Sequence, residues 1–355
     1  MRFPEFSGEW EIHRLGELVE IKSGVSPTGI IDENGLFPFY KVEQLNNCYV
    51  ELNETPYLTM QSSVPVHSII FPKRGAAIMT NKIRIASKPC QLDTNLMALI
   101  IENNEKVDYK FLFYFIARYN LSKIADTSTI PQINNIHINP LKITLPSFKE
   151  QQKISALLTV LDLKIDTQRK IIEKYESLIR GLCEQLTRQG TKNKAINECL
   201  DCHTSTLQES SVSGTGEYPV YGATGVCGYT NFNDVKDDGI LIIKDGASVG
   251  TTYYARGSYS HIGTLNRLTA RKGVNLRYVY YCLKVMNFAP YKTGLAIPHI
   301  YFKDYGKHRI WCPSYEEQLQ IANILTQIDD KINVEKSLLE QLNSQKRYML
   351  GKLFI

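Results

Sequence analysis

Cys199-Leu-Asp-Cys202-His203 spells the spacing used for covalent c-type haem attachment, and thiolates beside an imidazole are also zinc ligands. Haem attachment needs export and a second axial ligand, and a zinc site needs a second Cys or His pair. Neither accompanies the motif, so it is expected to be a strand or helix carrying two buried thiols, with no metal. Gly246-Ala-Ser-Val-Gly250 is glycine-rich, but there is no Gly-x-Gly-x-x-Gly and no Gly-Lys-Ser/Thr. A tight turn is the expectation there, with backbone amides that could meet a phosphate. Asn139-Pro140-Leu141 is not the Asn/Asp-Pro-Pro-aromatic motif of a methyltransferase, and Ile242-Ile243-Lys244 lacks the acid of a Glu-x-Lys nuclease core. His67, His261 and His299 have no recognisable nucleophile partner. No catalytic residue is assigned.

The cations group differently. Lys73, Arg74, Lys82 and Arg84 cluster in the first half of the chain. Lys244, Ser248, Arg256, Arg267 and Lys272 follow one another in the second, interleaved with Tyr253, Tyr254 and Tyr259. Reading DNA needs cations for phosphates, with donors and acceptors that reach base edges. If the chain binds DNA, these eight cations and Ser248 are the candidate contact set. The alternative for any one of them is a solvated charged face, with the tyrosines packed in the core.

The elements that must position them begin with length. At 355 residues the chain suits about two domains of roughly 100–200 residues each. Apolar residues make up 43% and charged residues 22%, which argues against global disorder. The formal net charge of +5 is mildly basic and decides nothing alone. No secretory signal is read in the first residues and no apolar run approaches the roughly 18 residues of a membrane span, so a cytoplasmic protein is expected, with eight reduced cysteines and no membrane partner.

An internal repeat organises the whole. Leu145-Pro-Ser-Phe-Lys-Glu-Gln-Gln-Lys-Ile-Ser-Ala-Leu-Leu158 recurs as Cys312-Pro-Ser-Tyr-Glu-Glu-Gln-Leu-Gln-Ile-Ala-Asn-Ile-Leu325, at a constant offset of 167 positions. Ile130-Pro-Gln-Ile133 matches Ile297-Pro-His-Ile300 at the same offset, and Tyr109–Phe115 matches Leu276–Cys282. Further upstream the offset drifts, as unequal loops would make it.

After each Pro-Ser the apolar residues keep a heptad seam. In the first copy it runs through Ile154, Leu158, Leu161, Ile165 and Ile172, and in the second through Ile321, Leu325, Ile328, Ile332 and Leu339. Each tail predicts a helix of about 40 residues, near 60 Å long. Two seams in one chain pack most simply on each other, as an antiparallel coiled coil. Gln168 and Glu335 occupy matching gaps in the seams. They either fix register or face solvent at its edge.

Both globular parts read as mixed α/β (α+β). Strand-like runs are expected at 68–76, 77–85, 217–225 and 238–250, with short aromatic helices at 109–119 and 276–287. A polar connection is expected at 188–197. The resulting plan is a first globular domain over 1–145, a helix over 146–190, a second globular domain over 191–312 and a helix over 313–355.

That order, with its two Leu/Cys-Pro-Ser-x-x-Glu-Gln-x-x-Ile starts, resembles the specificity subunit of Type I restriction–modification systems. So do Tyr218-Pro-Val-Tyr-Gly-Ala-Thr-Gly225, Ile242-Ile-Lys-Asp-Gly-Ala-Ser-Val-Gly250 and the opening Trp10–Gly24. The resemblance spans essentially the whole chain, and the first globular part follows the pattern less closely than the second. It implies two target-recognition domains, each reading half of a split, asymmetric site in double-stranded DNA, with the helix pair setting the half-site spacing.

The partners implied are two methyltransferase subunits using S-adenosylmethionine to methylate adenine, and restriction subunits using ATP and Mg2+. The chain itself would hold no cofactor and catalyse nothing. Two other readings stand beside this one: a divergent nuclease or methyltransferase, and a coiled-coil assembly protein that does not bind DNA.

Overall fold

The computed structural model describes residues 2–46, 48–52, 54–127, 130–233, 235–294 and 296–354. The chain divides into two compact units, Met1–Lys170 with Ser337–Ile355, and Ile171–Lys336. Among the described residues no helix is long and apolar enough to cross a membrane.

The first unit contains β1 (Glu11–Arg14), β2 (Val19–Ser23), β3 (Phe37–Tyr40), β4 (Leu58–Thr59), β5 (Ile69–Pro72), β6 (Arg84–Ile85), β7 (Gln91–Leu92), β8 (Leu96–Ile101), α1 (Tyr109–Tyr119), α2 (Asn135–Ile138), β9 (Lys142–Leu145) and the first part of α3 (Phe148–Leu186). Strands β2-β8-β5-β6 form an antiparallel sheet, and β4-β3-β7 form a smaller one in which β3 and β7 run parallel. Ile69, Phe71, Met97 and Leu99 of the larger sheet share one core with Phe111, Leu112 and Phe115 of α1. A second cluster, including Tyr40, Ile70, Leu92 and Ala98, takes side chains from both sheets. The alternation of β5 between the two clusters is the period-two pattern of a strand buried on both faces.

The second unit repeats the plan. It contains β10 (Lys194–Ala195), α4 (Ile196–Cys199), β11 (Leu200–Thr204), β12 (Tyr218–Gly222), β13 (Gly225–Thr230), β14 (Gly239–Ile243), β15 (Thr252–Ala255), β16 (Ser260–His261), β17 (Leu265–Ala270), α5 (Leu276–Lys284), α6 (Phe302–Tyr305), β18 (Arg309–Ile310) and the first part of α7 (Tyr315–Leu353). The sheets are β11-β17-β14-β15 and β13-β12-β16, the latter again with one parallel pair, β12 and β16. The short ribbon β1-β9 has its counterpart in β10-β18. Fold class and internal repeat are therefore as the sequence predicts.

Both long helices run for 39 residues, about 58 Å at 1.5 Å per residue. In the first unit Ile154, Leu158 and Leu161 of α3 share a core with Leu353 and Phe354. In the second, Ile179 and Cys183 of α3 share one with Ile321, Leu325 and Ile332 of α7. Early turns of one helix meet late turns of the other in both units, so the pair is antiparallel. Ile165 and Ile172 are buried as the seam requires, while Ile328 and Leu339 are half-buried. Gln168 and Glu335 are only 6% and 8% exposed, which removes the solvent-edge alternative, and Lys331 pairs with Glu335 at 2.7 Å.

The Pro-Ser-x-x-Glu-Gln repeat has a structural cause. Ser147 and Ser314 accept from the amides of Glu150 and Glu317, opening the long helices. Gln151, buried, accepts from the amide of Asp108 at 2.9 Å and donates to the Pro146 carbonyl at 3.0 Å. Gln318 does the same with Asn275 (2.9 Å) and Pro313 (2.8 Å). Asp108 and Asn275 in turn cap α1 and α5. One glutamine thus couples the starts of two helices in each unit.

A second fastening repeats about three turns further along each long helix. The Tyr114 hydroxyl donates to Asp162 at 2.7 Å, and that of Tyr281 to Asp329 at 3.5 Å.

Three local expectations need correction. Residues 77–85 are not a strand: 76–80 wind into a 3-10 turn and only Arg84–Ile85 pairs. Asn81 stops the turn in the left-handed region at φ 46°, held by its side-chain amide on the Ala117 carbonyl at 2.9 Å. The connection at 188–197 is partly ordered pairing, since Lys194 and Ala195 pair with Ile310 and Arg309, and Ile196 is buried. Helix α5 ends at Lys284, short of residue 287.

Removing a buried bracket strands the amide it satisfied, which costs about 1–3 kcal/mol. Gln151→Ala and Gln318→Ala should each lower stability by about that amount in urea melts. An unchanged midpoint would rule out the bracket as a structural determinant.

Candidate nucleic-acid interface

Each unit closes two loops on each other in the same way. In the first, the chain leaves β5 through Lys73-Arg74-Gly75. The Lys73 amide donates to the Asn95 carbonyl (2.8 Å), Gly75 to Pro131 (2.7 Å), and Ile133 back to Lys73 (2.8 Å). In the second, the chain leaves β14 through Lys244-Asp245-Gly246. Here Lys244 donates to Thr264 (3.0 Å), Gly246 to Pro298 (2.9 Å), and Ile300 to Lys244 (2.9 Å).

The facing loops are pinched at equivalent points. Asp126 and Gln132 exchange two backbone bonds of 2.9 Å, and Thr293 and His299 exchange bonds of 2.9 and 2.7 Å. Arg74 forms an isolated bridge with Gln132, and Asp245 with His299. Gly75 and Gly246 sit at φ 83° and 101°, where a side chain would be strained.

This junction carries one shared cation and a diverged pair. Lys73 and Lys244 are half-buried at the same position. Beside them the first unit presents Arg74 and Gln132. The second presents Asp245 and His299, whose Oδ1 and Nδ1 lie 2.7 Å apart. Ser248 is exposed in the following turn, which is tight as expected and not a phosphate cradle of the Gly-x-Gly-x-x-Gly type. The junction thus gathers Lys73, Arg74, Lys244 and Ser248 of the nine candidates. It adds Gln132, Asp245 and the Pro131 and Pro298 loops, which the basic-residue pattern did not single out. The signal was present as Lys73-Arg-Gly-Ala76 and Lys244-Asp-Gly-Ala247, hidden because the offset there has drifted to 171.

The other five candidates are placed elsewhere. Arg84 donates to the carbonyls of Ile83 and Leu45, each at 2.7 Å, and so braces its own surroundings. Lys82 bonds Asn46. Arg256 pairs with Asp330 at 3.0 Å, with both partners more than half exposed. Arg267 Nε donates to the hydroxyl of Tyr259, itself fully buried, at 3.1 Å. Lys272 is exposed in the turn after β17.

The catalytic and metal-like motifs disperse. Cys199 ends α4, Cys202 lies on β11 opposite Leu268, and the exposed His203 bonds Thr269 at 3.0 Å. Among the described residues no cluster of three or more His, Cys, Asp or Glu could hold a metal. Burial pushes Cys202 up to about 11 and Cys90, Cys183 and Cys282 up to about 12. His67 stacks on Tyr109 with ring centres 4.0 Å apart.

Three outcomes are expected for the folded protein. The buried thiols of Cys90, Cys183 and Cys282 should resist iodoacetamide at pH 8 and react only in denaturant, because the thiolate is the nucleophile. Rapid native labelling of any of them would contradict their burial. Arg84→Ala should cost about 1–3 kcal/mol in thermal or urea unfolding. Lys73→Ala and Lys244→Ala should shift stability by no more than about 0.5 kcal/mol.

Comparison with known proteins agrees with this architecture. The family model of the Type I restriction modification DNA specificity domain matches residues 7–177 and 191–344. A Methanocaldococcus jannaschii protein described as the MjaX specificity subunit of a type I restriction enzyme is 23% identical, over 98% of this chain and 93% of its own. The MjaVIII specificity subunit of the same organism is 31% identical over 54% of this chain and 44% of its own. The crystal structure of the Type I restriction–modification S subunit of M. genitalium superposes with a TM-score of 0.71 at 18% identity, covering 99% of this chain and 97% of that one. A chain from a structural study of type I R-M complex assembly and conformational transition gives 0.54 at 16% identity, with 99% and 98% covered. With both halves matched by the same domain model, the chain belongs to the Type I restriction–modification DNA specificity family.

Proposed function

We propose that this specificity subunit reads a split, asymmetric target in double-stranded DNA, one half-site per globular domain, through the two loop junctions. The observation that carries this reading is their shared scaffold. The backbone bonds and the lysine are common to both junctions, whereas Arg74 and Gln132 in one stand where Asp245 and His299 stand in the other. A common cation suits phosphate, which is alike in every sequence, and a diverged pair of donors and acceptors suits base edges, which are not.

The chain acts as the sequence-reading member of a complex. Its partners on this reading are two methyltransferase subunits and, where restriction occurs, restriction subunits. S-adenosylmethionine, ATP and Mg2+ would be bound by those partners. The place of action on this reading is the cytoplasm, where the genome lies.

A methylome of cells expressing this chain with its methyltransferase subunit, against the methyltransferase alone, tests the reading. A new two-part, asymmetric motif should appear only with this chain, and exchanging one globular domain should change one half of it. No new motif from a soluble, associated complex would reject it. In the assembled complex, Lys73→Ala and Lys244→Ala should weaken binding to all sequences alike. Each should flatten the slope of log affinity against log salt by about 1.

A further inference from the structure

The repeated Ile-Pro dipeptide has no use in the core. Ile133 and Ile300, three residues on, are buried, yet Ile130 is 53% exposed and Ile297 is 58% exposed. Single exposed aliphatics are ordinary on any surface. The informative feature is that two diverged domains expose the same residue at the same place.

Both isoleucines precede the proline whose carbonyl accepts from Gly75 or Gly246, so each is one residue from the backbone bond that closes its junction. In the second unit the position is built closely. Gly294, at φ 87°, lies under the loop, and a Cβ there would come within 2.4 Å of the Ile297 carbonyl oxygen. Lys292 and Lys303 are exposed nearby in sequence, as Lys123 is before the first loop.

We propose that Ile130 and Ile297 are apolar wedges, each pressing into a base step of its half-site and partly unstacking it. This rests on the DNA-reading function above and adds a mechanical step to it. An aliphatic side chain has no donor or acceptor with which to tell bases apart. A residue that is identical in both domains, beside junction pairs that differ (Arg74 and Gln132 against Asp245 and His299), therefore fits a task that both half-sites share. Ile and Pro are among the side chains that proteins insert between base pairs, and flanking cations hold the phosphates while the step opens. Loosening the stack lowers the cost of extruding a nearby adenine to a partner methyltransferase, which must take its base out of the duplex.

The test uses the assembled complex of this chain with its methyltransferase subunit. The duplexes carry the motif that the complex methylates, with 2-aminopurine walked through every position of both half-sites. The wild-type complex should raise the fluorescence at one step in each half. Ile130→Ala should abolish the rise in one half only and Ile297→Ala in the other, with Ile→Leu restoring it. Assembly and the methylated motif should be unchanged.

A rise that survives both alanine variants would overturn the wedge, as would no rise at either half in an actively methylating wild-type complex. Loss of methyltransferase association in DNA-free pull-downs of the alanine variants would show these residues to be a protein contact instead. Each of these outcomes leaves the DNA-reading function standing. A wild-type complex that methylates no specific motif would remove both.

Discussion

A buried glutamine that completes the hydrogen bonds of two helix starts is the constraint on which each half of this protein depends. Gln151 and Gln318 sit in apolar surroundings and satisfy groups that the helix geometry leaves open, a free amide on one side and a free carbonyl on the other. Buried polar atoms with such partners fix a single arrangement, because any slip leaves an amide bare. The direction in which α3 leaves the first domain is therefore locked to α1, and that of α7 to α5. Tyr114 with Asp162 and Tyr281 with Asp329 hold the same pairs of helices a second time. The loop junctions inherit their placement from this frame, since β5 and β14 share a core with the helices so anchored.

The architecture was legible in the sequence because the signals that carry it are periodic. The heptad seam and the 167-residue repeat survive the divergence of individual residues, and both long helices begin within two residues of the prolines that announce them. Local detail was less legible where tertiary bonds decide conformation. Residues 76–80 have strand-like composition but wind into a turn, because Gly75 takes a left-handed conformation and Asn81 reaches across to Ala117.

The candidate interface was half legible. Basic composition found Lys73, Arg74 and Lys244, and the glycine-rich turn brought in Ser248. Composition could not separate them from Arg84 and Arg267, whose guanidinium groups are spent on carbonyls and a tyrosine hydroxyl. Charge looks the same in a string of letters whether it faces a ligand or a neighbouring backbone. Gln132 entered only as the repeat partner of His299, and Asp245, not being basic, was passed over. Their meaning comes from a backbone bridge between segments more than 50 residues apart in each unit.

The two halves are alike in plan but not in how the chain supplies them. The second unit is a single stretch, Ile171–Lys336, whereas the first is closed by Ser337–Ile355, with Leu353 and Phe354 packed among Phe111, Phe115 and Leu158. On a ribosome the half whose residues emerge first is thus the one completed last. Its core stays open while the whole of the other half is synthesised. A released chain ending at residue 336 would carry the whole second module and an unsealed first one, with apolar surface of the kind that recruits chaperones.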